Sequence, residues 1–192
     1  MIPFLLMFMM IALLLFLLPG EYRDQVYVTA QALGLRRFCI LEVFMEVQHG
    51  TFKDIDSWMV LVQQVRWNFP GLETQAALED HRKTVLRFMG EHRALCVKDR
   101  DEVVGVLLLS KKHNMICCLA VAPEYRRNGI ASALLEMALS ELDRTRDITV
   151  TTFRENDEKG VAPRALYKLF GFTEEKLMIE NDYPVQRFVL RG

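Results

Sequence analysis

Ile116-Cys117-Cys118-Leu119-Ala120-Val121-Ala122-Pro123-Glu124-Tyr125-Arg126-Arg127-Asn128-Gly129-Ile130-Ala131 is the stretch that decides how this chain folds. From Asn114 to Val121 the residues are almost continuously apolar, which predicts a strand buried on both faces. After a short turn the chain enters a helix predicted from Gly129 to about Arg144, with Ala131, Leu135, Ala138 and Leu142 along one stripe. A strand running straight into a helix N-terminus leaves backbone N–H groups and the positive end of the helix dipole facing outward, and this suits a diphosphate. Gly129 and Ala131 leave the backbone open to phosphate oxygens, and Arg126 and Arg127 add charge. Two adjacent arginines are more often simply solvated, but their place before a glycine and a helix start favours the anion site.

Working outward, Glu46-Val47-Gln48 reads as a short strand, and Thr51-Phe52-Lys53-Asp54 has the form of a capping box. Helical spacing of Ile55, Trp58, Met59, Val62, Val65 and Phe69 follows, ending at Pro70-Gly71, and a second helix is predicted from about Glu73 to Met89. Ala94 to Lys98 and Val103 to Ser110 flank a short polar connection and predict a hairpin. Beyond the central helix come a strand at Ile148 to Thr152, a short helix at Pro163 to Phe170, and strands at Phe172 to Ile179 and Gln186 to Leu190. The order β-α-α-β-β-β-α-β-α-β-β predicts an α/β domain with a mixed central sheet and helices on both faces.

Arg126-x-x-Gly129-x-Ala131 resembles the Gln/Arg-x-x-Gly-x-Gly/Ala signature of the GNAT acetyltransferases, and it stands in that family's order of strand, loop and long helix. Ala165-Leu166-Tyr167-Lys168-Leu169-Phe170-Gly171-Phe172 is similar to a second hallmark, the Leu-Tyr…Gly-Phe segment. The resemblance covers residues 45–192 and implies the GNAT fold. It also implies acetyl-CoA as co-substrate. The pyrophosphate would meet backbone amides of Arg126, Arg127, Asn128, Gly129, Ile130 and Ala131, and the pantetheine arm would pair with Leu119, Ala120 and Val121. Tyr167 would lie by the thioester sulfur as general acid, and the acetyl group would pass directly to an amine on a small molecule or peptide.

A phenol of pKa about 10 facing a departing thiolate of roughly 8.5 is a mismatch of around 2 kcal/mol, which a hydrogen bond can bridge. An alkylamine acceptor is only about one part in a thousand neutral at pH 7, which costs about 4 kcal/mol. The base that removes its proton is left open between Glu155, Asp157, a residue of the first two helices, and water. Gly160 stands where the family often has Asn, and Pro163 where it often has Ala, so a cofactor contact usual in the family is missing or supplied by backbone. This departure supports an alternative, a non-catalytic GNAT-fold module that binds acyl-CoA.

Bulk properties narrow the choice further. A formal net charge of -1, from 24 basic and 25 acidic residues, provides no field for holding nucleic acid. Cys117 and Cys118 are adjacent in an apolar run, where they read as small packed residues of a reducing compartment, and no cysteine or histidine spacing suggests a metal. Tyr167 can also be read as a core aromatic, His81 as a packing residue of the second helix, and Trp58, Trp67 and Phe69 as packing rather than an acceptor cage.

The domains read as an apolar segment at 1–20, a linker at 21–44 and the transferase domain at 45–192. Residues 1–18 carry no charged side chain and would span about 27 Å as a helix, enough for a single membrane anchor. Arg23, Arg36 and Arg37 all follow that segment, which would leave the domain in the cytoplasm. A natural start at Met45 fits equally well, and a homo-oligomer is compatible with the sequence.

Overall fold

The computed structural model describes residues 46–192. The expected anchor at 1–18, the linker at 21–44 and the alternative start at Met45 lie outside the described residues. Among those described, no helix is long and apolar enough to cross a membrane.

Among the described residues, four α-helices and seven strands follow the predicted order. They are β1 (Val47–His49), α1 (Ile55–Val65), α2 (Gln75–Gly90), β2 (Ala94–Asp99), β3 (Glu102–Ser110), β4 (Met115–Val121), α3 (Ile130–Glu141), β5 (Ile148–Phe153), α4 (Val161–Leu169), β6 (Thr173–Glu180) and β7 (Tyr183–Leu190). The strands form one mixed sheet in the order β1-β2-β3-β4-β5-β7-β6, with helices flanking both faces. Only β4 and β5 run parallel, because α3 crosses over between them; every other neighbouring pair is antiparallel.

Local chemistry sets the entry to α1. Thr51 donates its backbone N–H and its hydroxyl to the Asp54 carboxylate, both at 2.8 Å, and Lys98 from β2 closes on the same carboxylate at 2.9 Å. Burial pushes the Asp54 carboxyl up, but the Thr51 amide, Lys98 and the Thr51 hydroxyl together hold it below its ordinary value. From there Ile55, Trp58, Leu61, Val62 and Val65 form the buried face of α1. At the far end of α2, Thr74 caps the helix start by accepting from Ala77 N–H at 3.1 Å.

The placement of α3 depends on β3. Ile130, Leu134, Leu135 and Ala138 are buried, and burying each leucine or isoleucine contributes about 1.5–3 kcal/mol. Gly105 lies beneath this helix. A Cβ there would stand 2.5 Å from Ile130 Cγ2 and 3.2 Å from Leu134 Cδ1, so the helix sits this close only because position 105 has no side chain. The loop after α3 is held by Asn114, which is 1% exposed. Its amide donates to the carbonyls of Asp143, Arg146 and Asp147 and accepts from Asp143 N–H.

Gly105→Ala is expected to destabilise the domain by about 1–3 kcal/mol through overpacking against Ile130. Thermal unfolding would show this as a midpoint lowered by several degrees. An unchanged midpoint would mean that α3 can ride up off the sheet without cost.

Candidate active site

The site begins where two strands part. β4 pairs with β3 along its whole length, but with β5 only at Met115↔Thr149 and Ile116↔Val150. A bulge at Cys117 marks the divergence, since Leu108 faces Cys118 while Leu109 faces Ile116. Beyond it the β5 side of β4 has no strand partner. This corrects the expectation that Asn114 to Val121 is buried on both faces. Cys117 is exposed and Cys118 and Leu119 are half-buried, because the neighbour that would cover them has diverged.

Backbone alternation determines which groups face the gap. Ala122 N–H donates to Val104 O at 2.9 Å, so residues 122, 120 and 118 turn their hydrogen-bonding groups toward β3. Leu119 and Val121 therefore aim theirs into the opening, whereas Ala120, 8% exposed, is committed to Val106. Val121 O accepts from Arg126 Nε at 3.2 Å, which brings that guanidinium to the mouth of the gap.

The turn from β4 into α3 is internally braced. Tyr125 donates its hydroxyl to Asp99 at 2.6 Å, linking the loop to the β2–β3 turn, and Asn128 Nδ2 donates to Tyr125 O at 3.1 Å. Arg127 and Gly129 both have positive φ, 65° and 79°, and Gly129 is the residue that caps α3. The first bond of the helix runs from Ala133 N–H to Gly129 O at 3.0 Å, so Ile130, Ala131 and Ser132 precede it without intrahelical acceptors. A Cβ at Gly129 would meet nothing within 4 Å, which leaves the approach to these amides open. The structure thus brings together all nine residues expected to bind the cofactor. Ile130 contributes backbone only, since its side chain is buried under α3.

Tyr167, on α4, is 4% exposed, with its ring centroid 5.7 Å from that of Phe172 and 6.2 Å from that of Phe188. Burial pushes its phenol well above the ordinary value, and the Cys118 thiol lies close enough to add to the shift. Burial likewise raises the Cys118 thiol to about 12, so it does not behave as a thiolate.

The proposed bases fare differently. Asp157 accepts the Tyr183 hydroxyl at 2.6 Å and Lys159 N–H at 2.9 Å, and these bonds hold its carboxyl below the ordinary value. Glu155 is exposed, and His81 is half-buried on α2 with its imidazole pKa lowered by desolvation. No group of three His, Cys, Asp or Glu side chains among the described residues could hold a metal ion.

Sequence reading passed over two features. Gly105 did carry a signal, as a lone glycine between Val104 and Val106 in an apolar strand. Arg164 carried none, because arginine on a short helix is normally solvated, yet here it is 5% exposed.

The described domain thus sets a splayed β4–β5 pair beside the open N-terminus of α3 in one mixed α/β fold. Residues 90–174 match the family model described as the Acetyltransferase (GNAT) domain, and the described domain has the GNAT fold. Solved structures with the same fold include a GNAT-family acetyltransferase from Bacillus cereus, at 21% identity and TM-score 0.60, covering 77% of this chain and 96% of that one. Another is the PaiA N-acetyltransferase of Thermoplasma acidophilum in complex with coenzyme A, at 14% identity and TM-score 0.58, covering 74% and 97%. A ribosomal-protein-alanine N-acetyltransferase from Brucella melitensis is similar at 16% identity and TM-score 0.61, covering 76% and 99%. No curated protein matches the sequence.

Substitutions at Gly129 report directly on the positive φ. Because a Cβ there has open space, the cost of Gly129→Ala is purely conformational, about 1 kcal/mol. Denaturant midpoints should fall in the order Gly, Asn, Ala, Val, since Asn tolerates the left-handed region and a β-branched residue does not. An alanine variant as stable as the parent would show that the loop does not need this conformation.

Proposed function

We propose that this protein is an N-acetyltransferase that moves the acetyl group of acetyl-CoA directly to an acceptor amine, on a small molecule or a peptide. The observation that carries the reading is the open flank of β4, where Leu119 and the Val121 N–H have no strand partner among the described residues and lead to the α3 amides that lack intrahelical acceptors.

The residues fit the group they would hold. Backbone N–H groups from Arg126 to Ala131, with the dipole of α3, suit the diphosphate, and the Arg126 guanidinium adds charge at the mouth of the gap. Leu119 and Val121 offer a strand edge to which the amide-bearing pantetheine arm can pair. Acetyl-CoA supplies an acyl thioester: the amine nitrogen forms the new C–N bond as the C–S bond breaks and the thiolate departs.

In this reading Tyr167 meets that thiolate. With its phenol raised by burial, it remains protonated across the working pH range and acts first as a hydrogen-bond donor to sulfur. Asp157 is a poor base because its bonds favour the ionised form, so the acceptor's proton leaves to water or to Glu155. Cys118 is too weakly acidic to act as a covalent carrier, in keeping with direct transfer. Use of acetyl-CoA implies a cytoplasmic location for the domain.

The test is acetyl transfer by the full chain to a panel of polyamines, amino acids, aminoglycosides and peptides, read by mass spectrometry. Tyr167→Phe is expected to lower kcat about 10- to 100-fold and leave the Kd for coenzyme A within about twofold. In the parent, kcat/KM should rise about tenfold per pH unit below the amine's pKa, with no falling limb near pH 10, because the Tyr167 proton is held more tightly than in a free phenol. Coenzyme A binding with no product from any acceptor would favour the non-catalytic module; no binding at all would refute the proposal.

A further inference from the structure

A charged side chain is sealed into the domain beside the candidate acid. Arg164 is 5% exposed, and both terminal nitrogens of its guanidinium are hydrogen-bonded. Nη1 donates to Phe153 O at the end of β5 at 3.2 Å and to Gln186 Oε1 on β7 at 2.7 Å. Nη2 donates to Glu174 Oε1 on β6 at 2.7 Å, and Lys168 closes on the same carboxylate oxygen at 2.6 Å. The guanidinium carbon also stands 5.0 Å from the centroid of Phe188. One arginine on a helix of nine residues thus grips three strands at once.

Room for this side chain comes from position 160. A Cβ on Gly160 would stand 3.1 Å from Arg164 Cδ, 3.2 Å from Phe153 Cβ and 2.9 Å from the carbonyl oxygen of Arg154. No side chain fits there while Arg164 holds its place. The resembled family often has asparagine at this position, so the departure and the buried arginine are two halves of one packing solution.

Tyr167 lies one helical turn beyond Arg164, and its ring packs on the same Phe188 that lies under the guanidinium. Burying a guanidinium whose carboxylate partner, Glu174, stays exposed is a poor way to gain stability, since an apolar side chain of similar volume often serves as well. A rigid, planar fork with several partners is a good way to fix one helix in one orientation.

We propose that Arg164 is a positioning residue for Tyr167, and that Gly160 supplies the space its side chain needs. This rests on the acetyl-transfer reading above. Arg164 itself touches no substrate; it acts by holding α4, and with it the Tyr167 ring, against Phe172 and Phe188.

The experiment is a double-mutant cycle on the full chain with Arg164→Met and Tyr167→Phe. Arg164→Met alone should lower kcat about tenfold with the Kd for coenzyme A unchanged within about twofold; in the Tyr167→Phe background it should add less than about twofold. Fully multiplicative losses would overturn the proposal. Arg164→Lys keeps the charge without the fork and should fall between, and it carries the same cycle if the methionine variant does not fold. NMR of the Tyr167 ring provides a readout independent of turnover. Its resonances should move in Arg164→Met and in Gly160→Ala but not in Leu169→Ser, on the exposed face of the same helix. If the parent transfers no acetyl group, the functional reading fails by itself, and unmoved resonances would then refute the positioning role separately.

Discussion

The divergence of β4 from β5 after Ile116 is the constraint on which the rest of the structure depends. Two parallel strands joined by a helix would ordinarily continue side by side and satisfy each other's backbone. Here they pair over two residues and then part, and the bulge at Cys117 turns β4 away. The cost is a strand edge on which Leu119 and the Val121 N–H lack a strand partner, while the Val121 carbonyl is met by Arg126. What results is an opening whose walls are backbone and whose far end is a helix N-terminus, so it offers amides and a dipole rather than a charged side-chain cluster.

Both flanks of that opening are fixed by packing that leaves little freedom. On the β3 side, the absence of a Cβ at Gly105 sets the depth at which α3 rests, and so where its first amides point. The loop between β4 and α3 is tied to the β2–β3 turn through Tyr125 and Asp99. On the β5 side, Arg164 connects α4 to β5, β7 and β6. The α3 loop, expected to meet the pyrophosphate, and Tyr167, expected to meet the thioester, thus sit on separate elements, each anchored to the same sheet.

Much of this was legible in the sequence, and the exceptions share a cause. The strand, loop and helix around Arg126 to Ala131 are local, so residue order alone predicts the junction. The capping role of Asp54 at Thr51 and the hairpin at 94–110 were readable for the same reason. Burial of β4 was misjudged because an apolar run reports what a strand avoids, not whether its neighbour stays beside it. Ala120 was grouped with Leu119 and Val121 for a related reason: which backbone groups face outward depends on pairing with β3. Arg164 was invisible because only the fold brings Phe153, Glu174 and Gln186 around one guanidinium. Gly160 looked like a lost contact in sequence, while in three dimensions it is space already filled from Arg164.

Hydrogen–deuterium exchange of the full chain with and without coenzyme A tests the central claim most directly, because the binding groups are backbone amides. The account predicts slowed exchange in peptides covering 117–121 and 127–132, with β1 and the outer strand β6 unchanged. Protection confined to other segments, or none at saturating coenzyme A, would contradict it.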